Sequence, residues 1–269
     1  MVKKLFKHEI NAYLRIMLPV YICLIGVAIL GRFIQIFEAD TTIYSVINGS
    51  SIFAYVVAVL ICFGFSTFFS ITRFYKNLFT GEGYLTFTLP ATPTQHLWVK
   101  LLTSMLFGFA SFIVVLISLM AITAGDAFNE CVKALIYIAK IYIPKIGFHI
   151  WLYLLEAVIL LILTAGFGYL LYYTCISIGQ LSKKNRVLCA VGVYIGYYFI
   201  TQILGTIFMV VITFLASTPF MKAITQFAVN HTYAFIHIIL CILIVLTAVM
   251  ALVCFVITRH IMTKKLNLE

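Results

Sequence analysis

The sequence predicts an all-α integral membrane protein with six transmembrane helices, and three observations carry that reading. Of 269 residues, 64% are apolar and only 10% charged, more apolar side chain than a water-soluble fold can cover with a polar skin. Six apolar runs, at about 16–37, 51–72, 101–124, 147–178, 187–215 and 233–258, each reach the roughly 18–20 residues a helix needs to cross about 30 Å of hydrocarbon. The short alternating segments of a membrane β-barrel do not occur in the sequence.

Charge placement then predicts orientation. The chain carries a net +10, which in a soluble protein would prompt a search for nucleic acid; here lipid is the expected partner and nucleic acid is not. Lys3, Lys4, Lys7 and Arg15 precede the first run, Arg73, Lys76 and Lys100 flank the loop between the second and third, Lys183, Lys184 and Arg186 fill the connection before the fifth, and Arg259, Lys264 and Lys265 follow the last. Six crossings put all of these on one side. The other side holds Glu38, Asp40, Asp126 and Glu130, with Lys133, Lys140, Lys145 and Lys222 as its cations. The positive-inside rule therefore expects both termini in the cytoplasm of a cell-membrane protein.

Taken in order, the segment KLFKHEINAYLRIMLP sets Phe6, Ile10, Tyr13 and Met17 on one helical stripe and turns Lys3, Lys7 and Arg15 away. Residues 1–15 are expected to lie along the inner surface, with Pro19 marking the bend into the first span. A secretory signal is the competing reading, but the apolar run is long for a signal core and no small-x-small site follows it. Residues 126–145 alternate polar and apolar positions at helical spacing, predicting an amphipathic outer helix, either a plain connector or a cap over an exit route. STPFMKAITQFAVNHTYAF is too apolar for a free loop, and 216–232 is expected to form a re-entrant outer hairpin. Gly192 and Gly196 form a GxxxG that admits a close neighbour.

The motifs of several membrane enzymes are missing. HEIN at 8–11 starts like a zinc-protease HExxH, but Ala12 stands where the second histidine is needed. His96, His149, His231, His237 and His260 form no i, i+4 pair with one another. There is no GxSxG turn and no GxxxxGK[ST] phosphate loop, so any ATP must be held by another chain. Six of the seven cysteines fall in apolar runs and Cys131 in an outer segment, without metal spacing. No metal or catalytic residue is assigned.

Two charges fall within spans, Arg32 in the first and Glu156 in the fourth. An ionisable group in hydrocarbon costs roughly 2.5–3.5 kcal/mol on insertion scales, so the two are expected to pair at similar depth. In the alternative, Arg32 reaches the outer headgroups and Glu156 faces a wet cavity.

Residues 73–98, RFYKNLFTGEGYLTFTLPATPTQHLW, concentrate what the spans avoid. Phe74, Leu78 and Phe79 share a helical face, GEG permits a tight reversal that presents Glu82, and Thr92 and Thr94 offer caps for a helix starting near Pro93. Such a knob on the inner face is what a soluble partner could grip. Here the chain resembles the permease subunits of ABC-2-type exporters, through Arg73, Tyr75, Asn77, Gly81, Glu82, Gly83, Tyr84, Leu85, Thr86, Leu89 and Pro90. The nearest in character are exporters of phenol-soluble modulins and of lantibiotics.

The resemblance implies a single permease domain over 1–269 with a cytoplasmic coupling helix in the 73–98 loop. It implies a homodimer of permeases bound to two copies of a cytoplasmic ABC ATPase that carries ATP and Mg, and export of amphipathic peptides between spans two and five. Aromatics on those spans, Phe65, Phe68 and Phe69 on one and Tyr194, Tyr197 and Tyr198 on the other, are then candidates for the path. An ion-coupled secondary transporter and a non-transporting immunity or scaffold protein are the alternatives.

Overall fold

Without water in the bilayer, a backbone must satisfy its own N–H and C=O groups, and a helix does so within one segment. The computed structural model describes residues 2–37, 42–81, 83–84, 88, 91–182 and 185–264, and among them every regular element is helical. In chain order these are α1 Val2–Ile36, α2 Thr42–Phe79, α3 Pro93–Ile122, α4 Asp126–Ile146, α5 His149–Gly179, α6 Arg186–Leu215, α7 Pro219–Asn230 and α8 Thr232–Lys264. Six of them, all but α4 and α7, run 30 to 38 residues and are apolar enough to cross a membrane. The chain is therefore a multi-pass helical membrane protein. Because about 20 residues suffice for a crossing, each helix has turns left over to tilt or to extend past the lipid.

Helix ends follow local chemistry. Thr92 caps α3 in a reciprocal box: its hydroxyl accepts from the Gln95 amide at 3.3 Å, and Gln95 Oε1 accepts from the Thr92 amide at 3.1 Å, with Pro93 in the first turn. Thr218 caps α7 in the same sense, accepting from the Met221 amide. α1 passes through Pro19 without ending, so the proline sits inside one helix and does not divide two. Residues 126–146 form the single helix α4, and 219–230 folds as one short helix that leads through His231 into α8.

The chain gathers into two compact units, Met1–Tyr142 and Ile143–Glu269. In the first, α1 packs on α2 and α3. The buried face of α1 repeats about every third or fourth residue, at Glu9, Tyr13, Met17, Leu24, Ala28 and Gly31. It closes two apolar clusters, one of Tyr13, Met17 and Phe107 with Phe69 against them, the other of Leu24, Ala28, Tyr55, Cys62 and Ile122. Polar contacts thread this packing. Tyr13 and Ser104 hydroxyls lie 2.9 Å apart, Tyr21 and Ser111 2.8 Å, and Tyr55 and Ser118 3.0 Å. The three serines stand seven residues apart on α3, which returns them to one face of the helix.

In the second unit α5 packs chiefly on α8 and also on α6. The Thr174 hydroxyl lies 3.0 Å from that of Thr258 and donates to the Cys254 carbonyl at 3.1 Å, joining α5 to α8. At the α5–α6 turn Gly179 leaves room for the Arg186 carbonyl and Ala190; a Cβ there would stand 2.7 Å from that carbonyl oxygen. α6 and α7 bury no residue within the unit.

Candidate functional site

One cluster stands where three helices of the first unit meet. Glu9 of α1 is buried, and its carboxylate takes Arg73 Nε of α2 at 2.6 Å on one oxygen and Lys100 Nζ of α3 at 3.1 Å on the other. Arg73 also lies 6.0 Å from the centre of the Tyr13 ring, a cation over an aromatic face. Tyr13 stacks on Phe107 and meets Phe69 edge-on. His96 is buried one turn before Lys100. α1 is about 52 Å long at 1.5 Å per residue, and its apolar run begins only at residue 16, so Glu9 lies ahead of the span. Burial pushes its carboxyl upward, but Lys100 and Arg73 outweigh that and hold it below the usual carboxylate range.

The cluster fixes both roots of the 80–92 connection. Arg73 is two turns before the end of α2, Lys100 two turns into α3, and Glu9 ties both to the N-terminal turns of α1. Arg73 thus spends its charge inside the protein. Tyr75 and Asn77 are half-buried, Gly81 is exposed, Gly83 is buried and Tyr84 is exposed. Glu82, Leu85, Thr86, Leu89 and Pro90 lie outside the described residues, as do Lys183 and Lys184.

A second cluster occupies the α5–α8 pair. His237 Nδ1 lies 3.0 and 2.9 Å from the two Glu156 oxygens, and His237 Nε2 lies 3.1 Å from His149 Nδ1. Tyr153 stacks on His237 with ring centres 4.2 Å apart, and Tyr233 stacks on His149 at 5.2 Å, nearly parallel. Backbone bonds lock both phenols: the Tyr153 hydroxyl donates to the Tyr233 carbonyl and the Tyr233 hydroxyl to the Lys145 carbonyl, each at 3.0 Å. The Cys241 thiol reaches Glu156 at 4.0 Å. His149 and Tyr233 line an open cavity of about 480 Å³ with Asn230, His231, Thr232 and Ala234. Among the described residues, no three His, Cys, Asp or Glu side chains are grouped to hold a metal ion.

The two charges singled out within spans each have partners inside their own unit. Glu156 is held by His237. Arg32 donates to Gln35 Oε1 at 3.4 Å and lies against Gly125, whose φ of +120° calls for glycine. Among the candidate path aromatics of α2, Phe68 is well exposed, Phe65 borders on exposure, and Phe69 turns inward, stacked on Phe65 and edge-on to Tyr13. On α6, Tyr194 stacks on Tyr172, Tyr197 is half-buried and Tyr198 is exposed.

Two sets of residues were not singled out by sequence spacing. Glu9 sits four residues before Tyr13 on the stripe of α1, a position that signals burial. His149 and His237 are 88 residues apart, and only folding joins them. Compared with protein-family models, curated proteins and solved structures, the chain finds no match in any of the three.

Proposed function

We propose that the chain is the permease subunit of an ATP-driven exporter of the ABC-2 type, working as a homodimer with two cytoplasmic ATPase subunits that bind ATP and Mg. Its cargo is an amphipathic peptide or a similarly oily molecule. The observation that carries this reading is the Glu9–Arg73–Lys100 clamp. A loop that receives force from a soluble partner can pass it on only if its roots do not yield. Here both roots are ion-paired to one buried carboxylate on a third helix. The knob at 73–98 is then a coupling element, and Glu82 is its contact with the ATPase. Arg73 positions that knob from within rather than touching the partner.

In this reading the first turns of α1, which continue straight into the span and are tied to Arg73 and Lys100 through Glu9, move with the knob. Closure of the ATPases shifts it, the first unit transmits the shift as a rigid lever, and cargo leaves past α7 and the outer connections. Each unit offers exposed aromatics to such a cargo, Phe65 and Phe68 on α2 and Tyr194 and Tyr198 on α6. The test is purification with the natural neighbours, followed by ATPase assays of the reconstituted complex with amphipathic helical peptides. A nucleotide-binding subunit that copurifies and is stimulated by peptide is the expected result. Glu82→Lys is expected to abolish the stimulation while leaving the helices folded. Cargo movement by the purified chain alone would instead favour the ion-coupled transporter.

A further inference from the structure

The half-buried Glu156 has a partner set unlike anything the export reading requires. Its neighbours are titratable, they are hydrogen-bonded in series, and one end of the series opens on a cavity. We infer that His149, His237 and Glu156 form a proton-binding relay, which takes a single proton from the cavity at the start of α5 and α8 and delivers it to Glu156 inside the span.

Hydrogen-bond roles follow from the geometry. An ionised Glu156 can only accept, so the neutral His237 must carry its proton on Nδ1. Its Nε2 is then a lone pair and accepts from His149 Nδ1–H at 3.1 Å. His149 is left with its basic Nε2, on a residue that lines the cavity. The resting chain therefore points one way, every proton directed toward the carboxylate.

A proton added at His149 Nε2 allows the whole series to reverse. The N–H bond at His149 Nδ1 breaks and a new one forms at His237 Nε2. The N–H bond at His237 Nδ1 breaks and an O–H forms on Glu156. One proton has entered, both imidazoles end neutral with their protons on Nε2, and the carboxylate has become a carboxylic acid that donates to His237 Nδ1. No bond other than those to hydrogen changes. Glu156 lies seven residues beyond His149 on α5, so the charge moves about 10 Å along the helix.

Among the described residues of this unit, the titratable groups facing the relay are these. α5 contributes Tyr153 beside His149 and Glu156. α8 contributes Tyr233 and Cys241 beside His237, and the last turn of α4 offers Lys145, whose carbonyl takes the Tyr233 hydroxyl. α7 carries Lys222, which is exposed, and His231 at the junction to α8 lines the cavity. The titratable side chains of α6, Arg186, Cys189, Tyr194, Tyr197 and Tyr198, all lie in its first half, and none follows between residues 199 and 215. Past Glu156 the next titratable side chain on α5 is Tyr169, and a groove lined by Ala157, Leu160, Leu161, Thr164, Ala165 and Leu240 intervenes. The relay therefore ends at Glu156, storing a proton rather than conducting it onward through this unit. Stacked and bonded rings keep the donors aligned, which is what makes a histidine pair a transfer route and not two separate bases.

The experiment uses the full-length protein in lipid nanodiscs. Nitrogen NMR of the histidine rings is expected to show, in the wild type, His149 and His237 with their protons on Nδ1 at neutral pH. On acidification both should switch to Nε2, with a Glu156 carboxylic-acid band rising in the infrared difference spectrum. H237Q should remove that band's link to the imidazoles, and E156Q should reduce the protons bound per chain by one. A His237 proton found on Nε2 at neutral pH, or an unchanged proton count in E156Q, would overturn the relay. The wild-type spectra decide the matter even if a variant fails to fold. None of these readings depends on what drives transport.

Discussion

Glu9 and Glu156 are both acids withdrawn from water, and the difference between them lies in their partners. Glu9 is held between an arginine and a lysine, cations that do not release their protons in ordinary conditions. Glu156 is held by an imidazole bonded to a second imidazole. The same side chain is a fixed clamp in one place and a titratable element in the other. What a buried acid does is therefore set by whether its counterion can change charge.

Breaking the clamp should give the largest effect. Glu9→Ala leaves the buried Lys100 and the half-buried Arg73 without their shared acid, and loss of one member of a buried ionic group costs about 3–5 kcal/mol. Thermal denaturation of the purified protein should show it, and replacing Lys100 by Met in the same chain should restore part of the loss. The clamp's pH dependence has a definite sign. Because the Glu9 carboxyl is held below its usual range, its contribution is complete above about pH 4.3, the ordinary glutamate value, and is lost only as the pH falls through the lower folded value. A melting temperature that dropped between pH 7 and 5 through a Glu9-dependent transition would contradict that assignment.

Glu156→Gln should cost less, about 1 kcal/mol, because a glutamine oxygen can still accept from His237 Nδ1–H. It sharpens the comparison: stability should fall only modestly, measured by melting curves beside those of Glu9→Ala, because the hydrogen bond to His237 survives. Smaller still are Tyr21→Phe and Tyr55→Phe. Hydrogen bonds between helices in lipid average about 0.6 kcal/mol. Ser111 and Ser118 also keep their own bonds to the carbonyls of Phe107 and Val115. Each variant should lower the melting temperature only slightly.

How much of this could be read from sequence depended on the range of the interaction. Spans follow from the length of apolar runs, and the start of α3 from Thr92, Pro93 and Gln95, because both signals are local. The basic stripe of α1 is visible as a period, yet the same period sets Glu9 beside Tyr13 and Met17, an acid on the buried face. Its justification, Arg73 and Lys100, lies 64 and 91 residues away. Arg32 and Glu156 stand out as charges in hydrocarbon, but composition cannot choose among distant partners, and within its own unit each has one, Gln35 and His237. Search by i, i+4 spacing misses a histidine pair assembled from two helices.

The serines of α3 carry one more consequence. Tyr13 and Tyr21 on α1 each engage a hydroxyl on α3, and the next serine along that face is a full seven residues, about 10 Å, further on. A slide of α1 by a single turn would unseat both tyrosines at once from the serines they engage. Piston travel between these two helices therefore has no halfway stop, and any working motion of this half of the chain must be a swing of the three helices together.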